Sequence, residues 1–101
     1  MDLRLKLNLD QERIAAFCRR HHIRRLAFFG SVLREDFSSD SDVDVLVEFE
    51  PGHVPGLAFL SMEAELSEIL ARKVDLNTPG FLSPYLREKV LQEAEVHYAA
   101  P

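Results

Sequence analysis

Two aspartates separated by one residue, Asp42 and Asp44, stand at the start of the apolar run 43–49. If this run is a β-strand, its side chains alternate between the two faces of a sheet, so both carboxylates point to the same face. Two carboxylates held that close repel each other, and each raises the pKa of the other unless a cation lies between them. The pair therefore predicts a site for a divalent metal ion.

A third carboxylate and a glycine–serine pair are predicted to reach the same edge of the sheet. Asp75 stands near the start of the strand-like segment 74–77, and Gly30-Ser31 directly follows the apolar run 26–29. A predicted helix separates the two aspartate-bearing strands, and such a unit is normally a right-handed crossover with parallel strands. The connection from the earlier strand holds little helix, which favours an antiparallel arrangement there. The carboxylates and the Gly-Ser turn are therefore expected to converge.

Apolar periodicity predicts a small mixed β-sheet with flanking helices, an α/β (α+β) fold. The predicted helices cover 11–21, 57–72 and 84–94 or beyond, and the predicted strands cover 26–29, 43–49 and 74–77. Asp10 is the expected N-cap of the first helix, and Ser83-Pro84 is expected to begin the last. Residues 1–9 are expected to form an extended N-terminal segment, and residues 1–101 a single domain.

Composition narrows the class of protein. The net charge of -5 argues against broad binding to nucleic acid, which rests on neutralising phosphates with Lys and Arg. The single cysteine, Cys18, falls on the apolar face of the first predicted helix and is interpreted as a core residue. No secretory signal or membrane-spanning stretch is visible, so a cytoplasmic protein without a membrane partner is expected.

One segment, Arg19–Arg25, is strongly basic. Two interpretations stay open: a solvated helix end, where cations are favoured by the helix dipole, or a contact for phosphate or RNA. His21 and His22 lie within it, but they are not expected to bind metal, because no third ligand is spaced near them along the sequence.

The predicted carboxylate cluster has a specific chemical meaning. Hard oxygen ligands suit Mg²⁺ or Mn²⁺, and two such ions can share aspartates and bracket the displacement of a phosphoryl group. One ion activates the attacking hydroxyl and the other holds the triphosphate. Asp75 is the candidate to assist the first ion and to accept the proton of the hydroxyl. The alternative for Asp75 is an ordinary polar strand end.

The motif resembles that of the polymerase β-like nucleotidyltransferase superfamily, and the short chain is similar to its minimal nucleotidyltransferases. The residues that carry the resemblance are Gly30-Ser31, then Asp42-Val43-Asp44 eleven residues after Ser31, and a distant Asp75. The resemblance covers about 26–76 and implies a mixed α/β fold. It also implies metal-dependent transfer of a nucleoside monophosphate from ATP or another nucleoside triphosphate to a hydroxyl.

The resemblance further implies roles for individual residues. The implied catalytic and metal-binding residues are Asp42, Asp44 and Asp75, with two Mg²⁺ or Mn²⁺ ions. The implied nucleotide-binding residues are Gly30, Ser31, Arg34 and Ser41. For Arg34 a surface salt bridge remains an alternative to a phosphate contact, and Ser41 has the alternative of capping the turn before the strand. Glu35 departs from the pattern, because many relatives have glycine there.

Family members of this size commonly pair with a helical HEPN-domain toxin, so the resemblance implies an antitoxin that transfers AMP to a toxin tyrosine. The chain has no room for a further acceptor-binding domain, so the acceptor is expected to be a separate protein or to be bound by one. Two alternatives stay open. One is an antitoxin that only binds and masks its partner. The other is a nucleotidyltransferase acting on RNA or a small molecule with a separate recognition subunit, although direct binding to nucleic acid is not expected.

Overall fold

A four-stranded mixed sheet with the strand order β3-β2-β1-β4 forms the centre of the molecule. The structure is a computed structural model and describes residues 7, 9–34, 37–38, 40–53 and 55–101. The strands are β1 (Ile23–Phe29), β2 (Val43–Phe49), β3 (Val74–Asn77) and β4 (Glu95–Ala99). The α-helices are α1 (Gln11–Arg20), α2 (Ala58–Leu70) and α3 (Pro84–Glu93), and short 3-10 helices cover Gly30–Leu33 and Pro79–Phe81.

The strand directions agree with the sequence-based expectation. β1 pairs with β2 antiparallel, and β2 pairs with β3 parallel. The predicted mixed α/β fold is therefore confirmed. Asp10 caps α1 as predicted, because its Oδ1 accepts hydrogen bonds from the N–H groups of Glu12 (3.1 Å) and Arg13 (3.2 Å).

Two strand predictions were wrong. β1 begins at Ile23, three residues earlier than predicted, because Ile23 pairs with Phe49 across the sheet. The predicted helix to about Ala94 or beyond ends at Glu93, and the prediction missed β4 altogether. β4 pairs antiparallel with the outer side of β1. No glycine or proline separates α3 from β4, so the sequence carries no breaker at the point where the helix ends.

The side chains of the sheet alternate between two apolar clusters, one on each face. α1 and α2 cover the larger cluster, to which β2 contributes Val43, Val45 and Val47. α3 covers the smaller cluster, which consists of Phe29, Leu46, Leu82 and Val90 with Ala94 packed against it. Cys18 is fully buried in the larger cluster, and burial raises the pKa of its thiol to about 12, so its interpretation as a core residue is confirmed.

Some expectations fall on residues outside the described part of the chain. Most of the predicted extended segment 1–9 does so, although Leu7 is buried and Leu9 packs against the larger cluster. Glu35, which departs from the pattern of the resembled family, also lies outside the described residues. Among the described residues, no helix is both long and apolar enough to cross a membrane.

Candidate active site

Asp44 lies at the point where three strands meet. In the sheet register it stands opposite Asp75 of β3 on one side and opposite Phe29, the last residue of β1, on the other. Gly30 follows Phe29 directly, and Asp42 directly precedes β2. The predicted convergence of these residues at one edge of the sheet is therefore confirmed by the strand pairing.

The contact between Gly30 and Asp44 requires a glycine. Gly30 has a φ of 75°, in the left-handed region that other residues rarely adopt. A Cβ atom at this position would lie only 2.3 Å from Oδ2 of Asp44. The absence of a side chain thus lets the carboxylate pack against the backbone of the turn.

The environment of Asp44 disfavours its negative charge. Burial, the neighbouring charge of Asp75 and a hydrogen bond with Asp75 raise the pKa of Asp44 from 3.8 to about 6. The charge of Asp42 raises this pKa further, whereas the guanidinium of Arg34 lowers it. Once Asp44 ionises, the adjacent carboxylates repel each other unless a cation lies between them. The cluster therefore has the electrostatic character of a cation site.

A lysine that the sequence analysis missed lies beside Asp42. Nζ of Lys73 is 3.9 Å from Oδ2 of Asp42, with the lysine side chain 81% and the aspartate side chain 46% exposed. The backbone N–H of Val43 donates to the carbonyl of Lys73 (2.8 Å), which fixes the two segments together. An exposed ammonium gains little from such a pair and is readily displaced by a divalent ion. A positive charge two residues before Asp75 was the only sequence signal for this contact.

The loop that leads to Asp42 is held by Arg72, which the sequence analysis also missed. One guanidinium nitrogen of Arg72 donates to the carbonyls of Ser38 (2.7 Å) and Ser41 (2.8 Å), and its guanidinium lies 4.5 Å from the ring centre of Phe37. Oγ of Ser41 accepts a hydrogen bond from the N–H of Ser38 (3.1 Å). The turn-capping interpretation of Ser41 therefore describes its contacts, and its role in nucleotide binding stays a prediction.

Side chains of α2 anchor β3 on both sides of Asp75. The N–H of Leu76 donates to Oε2 of Glu63 (2.9 Å), and the N–H of Val74 donates to Oγ of Ser67 (3.1 Å). Ser67 in turn donates to the carbonyl of Glu63 (2.8 Å). β3 is an edge strand, so these side chains bond to backbone groups that have no strand partner. They hold Asp75 in register with Asp44.

A pocket of about 180 Å³ lies between the turn after β1 and α3. Gly30 and Arg34 line it on one side, and Leu86 and Lys89 line it on the other. Ser31 lies inside the 3-10 helix, which begins at Gly30. The pocket is also lined by the carboxylate of Glu93, so its two cationic side chains outnumber one acidic group and suit an anionic group such as a phosphate.

The basic segment lies at the other end of the sheet, and three of its arginines are in ion pairs. Arg20 pairs with Glu65, while Arg24 and Arg25 both approach Glu48, at 3.4 Å and 3.5 Å. These contacts favour the solvated helix end over a phosphate or RNA contact. No third ligand stands near His22 along the sequence, but the loop after β2 brings Glu50 and His53 beside it in space.

Comparisons with known proteins agree with this geometry. Residues 12–97 match the model of a family described as "Nucleotidyltransferase domain". Protein adenylyltransferase MntA of Thermococcus cleftensis is 37% identical over 75 residues, which cover 73% of this chain and 74% of the relative. A protein of Methanocaldococcus jannaschii, provisionally named a protein adenylyltransferase, is 32% identical over 90 residues, 89% of this chain and 96% of the relative.

Solved structures share the fold. One described provisionally as a minimal nucleotidyltransferase has a TM-score of 0.74 and 38% identity, covering 93% of this chain and 94% of its own. A toxin–antitoxin structure with AMP-PNP has a TM-score of 0.73 and 20% identity, covering 91% and 75%. A tri-AMPylated Shewanella oneidensis HEPN toxin in complex with an MNT antitoxin has a TM-score of 0.66 and 19% identity, covering 98% and 74%. The last two likenesses concern the fold alone.

We expect Gly30→Ala to destabilise the protein by about 2–4 kcal/mol, because the new methyl group adds a collision with Asp44 to the backbone strain. Gly56→Ala is the matched control. Gly56 has a φ of 61° with nothing within 4 Å of an added Cβ, so it carries the strain without the collision and should lose about 1 kcal/mol. Urea unfolding measures both changes, and equal losses would contradict the close contact.

We expect Asp44→Asn to raise the metal-free stability at pH 7.5 by about 1 kcal/mol, after allowing for solvent screening. Because folding raises the pKa of Asp44, the native state loses stability as the pH rises from 3.8 to about 6, and the loss is complete above that range. The gain from the substitution should therefore vanish near pH 4. Urea unfolding in EDTA across this range measures it, and Asp40→Asn, in an exposed loop, is the control expected to show no gain.

Proposed function

The chain belongs to the nucleotidyltransferase domain family, and from that premise we propose that it transfers AMP from ATP to a hydroxyl of a partner protein. The observation that carries the proposal is the position of Asp44, packed on Gly30 and hydrogen-bonded to Asp75. A module that only binds a partner has no need of converging carboxylates whose mutual repulsion destabilises the fold. A catalytic role explains why the chain keeps these carboxylates together despite their repulsion.

The donor set suits Mg²⁺ or Mn²⁺, which prefer carboxylate oxygens. Asp42 and Asp44 would hold two such ions, and Asp75 one of them. The raised pKa of Asp44 and the ammonium of Lys73 beside Asp42 both support a place for positive charge here. When bound, the ions supply charge neutralisation on the triphosphate and lower the pKa of the attacking hydroxyl.

The chain's own residues bind the nucleotide and take up the proton. The acceptor oxygen attacks the α-phosphorus of ATP, the bond to the bridging oxygen of the β-phosphate breaks, and pyrophosphate leaves. Asp75, which is exposed, accepts the proton of the hydroxyl. Gly30 and Ser31 bind the triphosphate, and the pocket lined by Arg34 and Lys89 gives its oxygens two cationic partners.

A helical HEPN toxin is the partner that we propose, with a tyrosine as the acceptor. The fold shared with an MNT antitoxin bound to an AMPylated HEPN toxin supports this pairing. The surface supports a protein partner as well, because large apolar side chains are exposed on the described part of the chain. The most exposed are Leu57 (90%), Tyr85 (86%), Leu60 (70%) and Phe81 (67%). This role requires a cytoplasmic location, where ATP is available.

An antitoxin that only masks its partner is the second candidate. The same exposed apolar side chains favour it, because they offer a surface for docking without any chemistry. A nucleotidyltransferase acting on RNA has less support, since Arg20, Arg24 and Arg25 already have carboxylate partners. Substitution of Asp42 and Asp44 distinguishes the catalytic antitoxin from the masking antitoxin, because only the catalytic one needs these carboxylates.

We expect label from α-³²P-ATP to appear on a purified HEPN partner in the presence of Mg²⁺. Asp42→Asn and Asp44→Asn should each lower the rate at least about 100-fold, because each removes a carboxylate that would hold the ions that neutralise charge on the transition state. Asp40→Asn keeps the rate and controls for a general loss of negative charge. Changing the tyrosines of the partner to phenylalanine should remove the acceptor and the label.

Labelling that survives both Asp42→Asn and Asp44→Asn would overturn the proposed catalytic role of these residues. A double variant that transfers nothing but still binds and silences the toxin would favour the masking antitoxin. Circular dichroism of each variant shows whether lost transfer reflects lost chemistry rather than lost fold.

A further inference from the structure

We propose that His22, Glu50 and His53 form a binding site for a transition metal ion of the Zn²⁺ class, separate from the carboxylate cluster. Among the described residues, these three form the group of metal-ligating side chains whose candidate ligand atoms all lie within 4.8 Å of one another. Nδ1 of His22 is 3.7 Å from Oε2 of Glu50. The rings of His22 and His53 stack with their centres 3.9 Å apart and their planes at 15°.

The backbone holds the three residues together independently of their side chains. The N–H of Glu50 donates to the carbonyl of His22 (2.8 Å), and the N–H of His53 donates to the carbonyl of Glu50 (3.1 Å). The second bond closes a turn through Pro51 and Gly52, and Gly52 has a φ of 83°. Proline followed by a glycine of positive φ is the sequence that a type II turn requires. The ligands are therefore placed before any ion binds.

The donor set selects the class of metal. Two imidazole nitrogens and one carboxylate oxygen suit Zn²⁺, whereas Mg²⁺ and Ca²⁺ prefer oxygen ligands alone. Bonds of about 2.0–2.2 Å to a common ion require the ligand atoms to move closer than they stand here. His22 and Glu50 are about half exposed, so their side chains have room to rotate.

The surroundings of the three side chains leave space for a fourth ligand. They also hold little positive charge that would oppose a bound cation. A pocket of about 210 Å³ adjoins His22 and His53, and Pro55 and Met62 form part of its wall. His21 lines it as well, but its Nε2 lies 3.1 Å from Oε1 of Glu65. The pocket can hold the water that completes a tetrahedral site. Arg20 also lines the pocket, but its guanidinium is paired with Glu65.

This group lies at the end of the sheet opposite to Asp44. His22 and Glu50 flank the paired residues Ile23 and Phe49, and Phe49 is five residues along β2 from Asp44. Five strand residues span about 17 Å, so the two sites do not share ligands. An ion here joins the loop after β2 to the junction of α1 and β1. Its effect is on the stability of this end of the molecule.

The test is a titration of the metal-free full chain with Co²⁺, followed by displacement with Zn²⁺, in excess Mg²⁺. Co²⁺ reports ligand number and geometry through its visible absorption. We expect a single Zn²⁺ to bind and to raise the melting temperature. His53→Gln and Glu50→Gln should each weaken binding at least about tenfold, and His97→Gln, whose histidine lies outside the group, should leave it unchanged. Circular dichroism confirms that each variant is folded.

Three results would overturn the proposal. The first is that the chain binds no Zn²⁺ at micromolar concentrations. The second is that His53→Gln and Glu50→Gln both bind Zn²⁺ with unchanged affinity. The third is that His97→Gln loses the binding instead. Asp44→Asn should bind Zn²⁺ as the original chain does, because it removes a residue of the other cluster. Zn²⁺ binding that depends on Asp44 would assign the ion to the carboxylates and would also count against the proposal.

Discussion

The partly buried carboxylate of Asp44, packed on a glycine backbone and hydrogen-bonded to a second carboxyl, is the constraint around which the candidate site is arranged. It requires an antiparallel neighbour that ends in a turn without a side chain at Gly30. It also requires a parallel neighbour that presents Asp75 in the same register. The mixed sheet meets both requirements at one residue, with β1 antiparallel and β3 parallel to β2.

Residues that never touch the carboxyl groups hold this geometry against electrostatic repulsion. Glu63 and Ser67 of α2 bond to the backbone of β3 on either side of Asp75, and Arg72 bonds to the loop before Asp42. Each is polar and each bonds to backbone rather than to another side chain. Such contacts fix a strand or loop in place through its backbone. The hydrogen bonds of Glu63, Ser67 and Arg72 thus oppose the loss of stability that the charge of Asp44 causes.

The sequence predicted those parts of the molecule that local patterns encode. Period-2 alternation, the crossover rule and turn residues were enough for β2, for β3, for their parallel direction and for the arrival of Gly30 and the carboxylates at the same edge of the sheet. β4 was missed because only its pairing with β1 distinguishes it from the end of a helix. Lys73 and the group around His22 were missed because their partners are distant in sequence. Spacing along the chain does not reveal that the Pro-Gly turn after β2 places Glu50 and His53 beside His22, which is far away in the sequence.

The two faces of the sheet are packed unequally, and this has a consequence for motion. α1 and α2 bury a large cluster, whereas α3 is held mainly by Val90 over a cluster of four buried residues. Local opening costs least where the fewest apolar contacts are lost. Amide hydrogens of α3 should therefore exchange with solvent sooner than those of β1 and β2. Because α3 forms one wall of the pocket beside Gly30, the least protected helix of the fold borders the space proposed for the nucleotide.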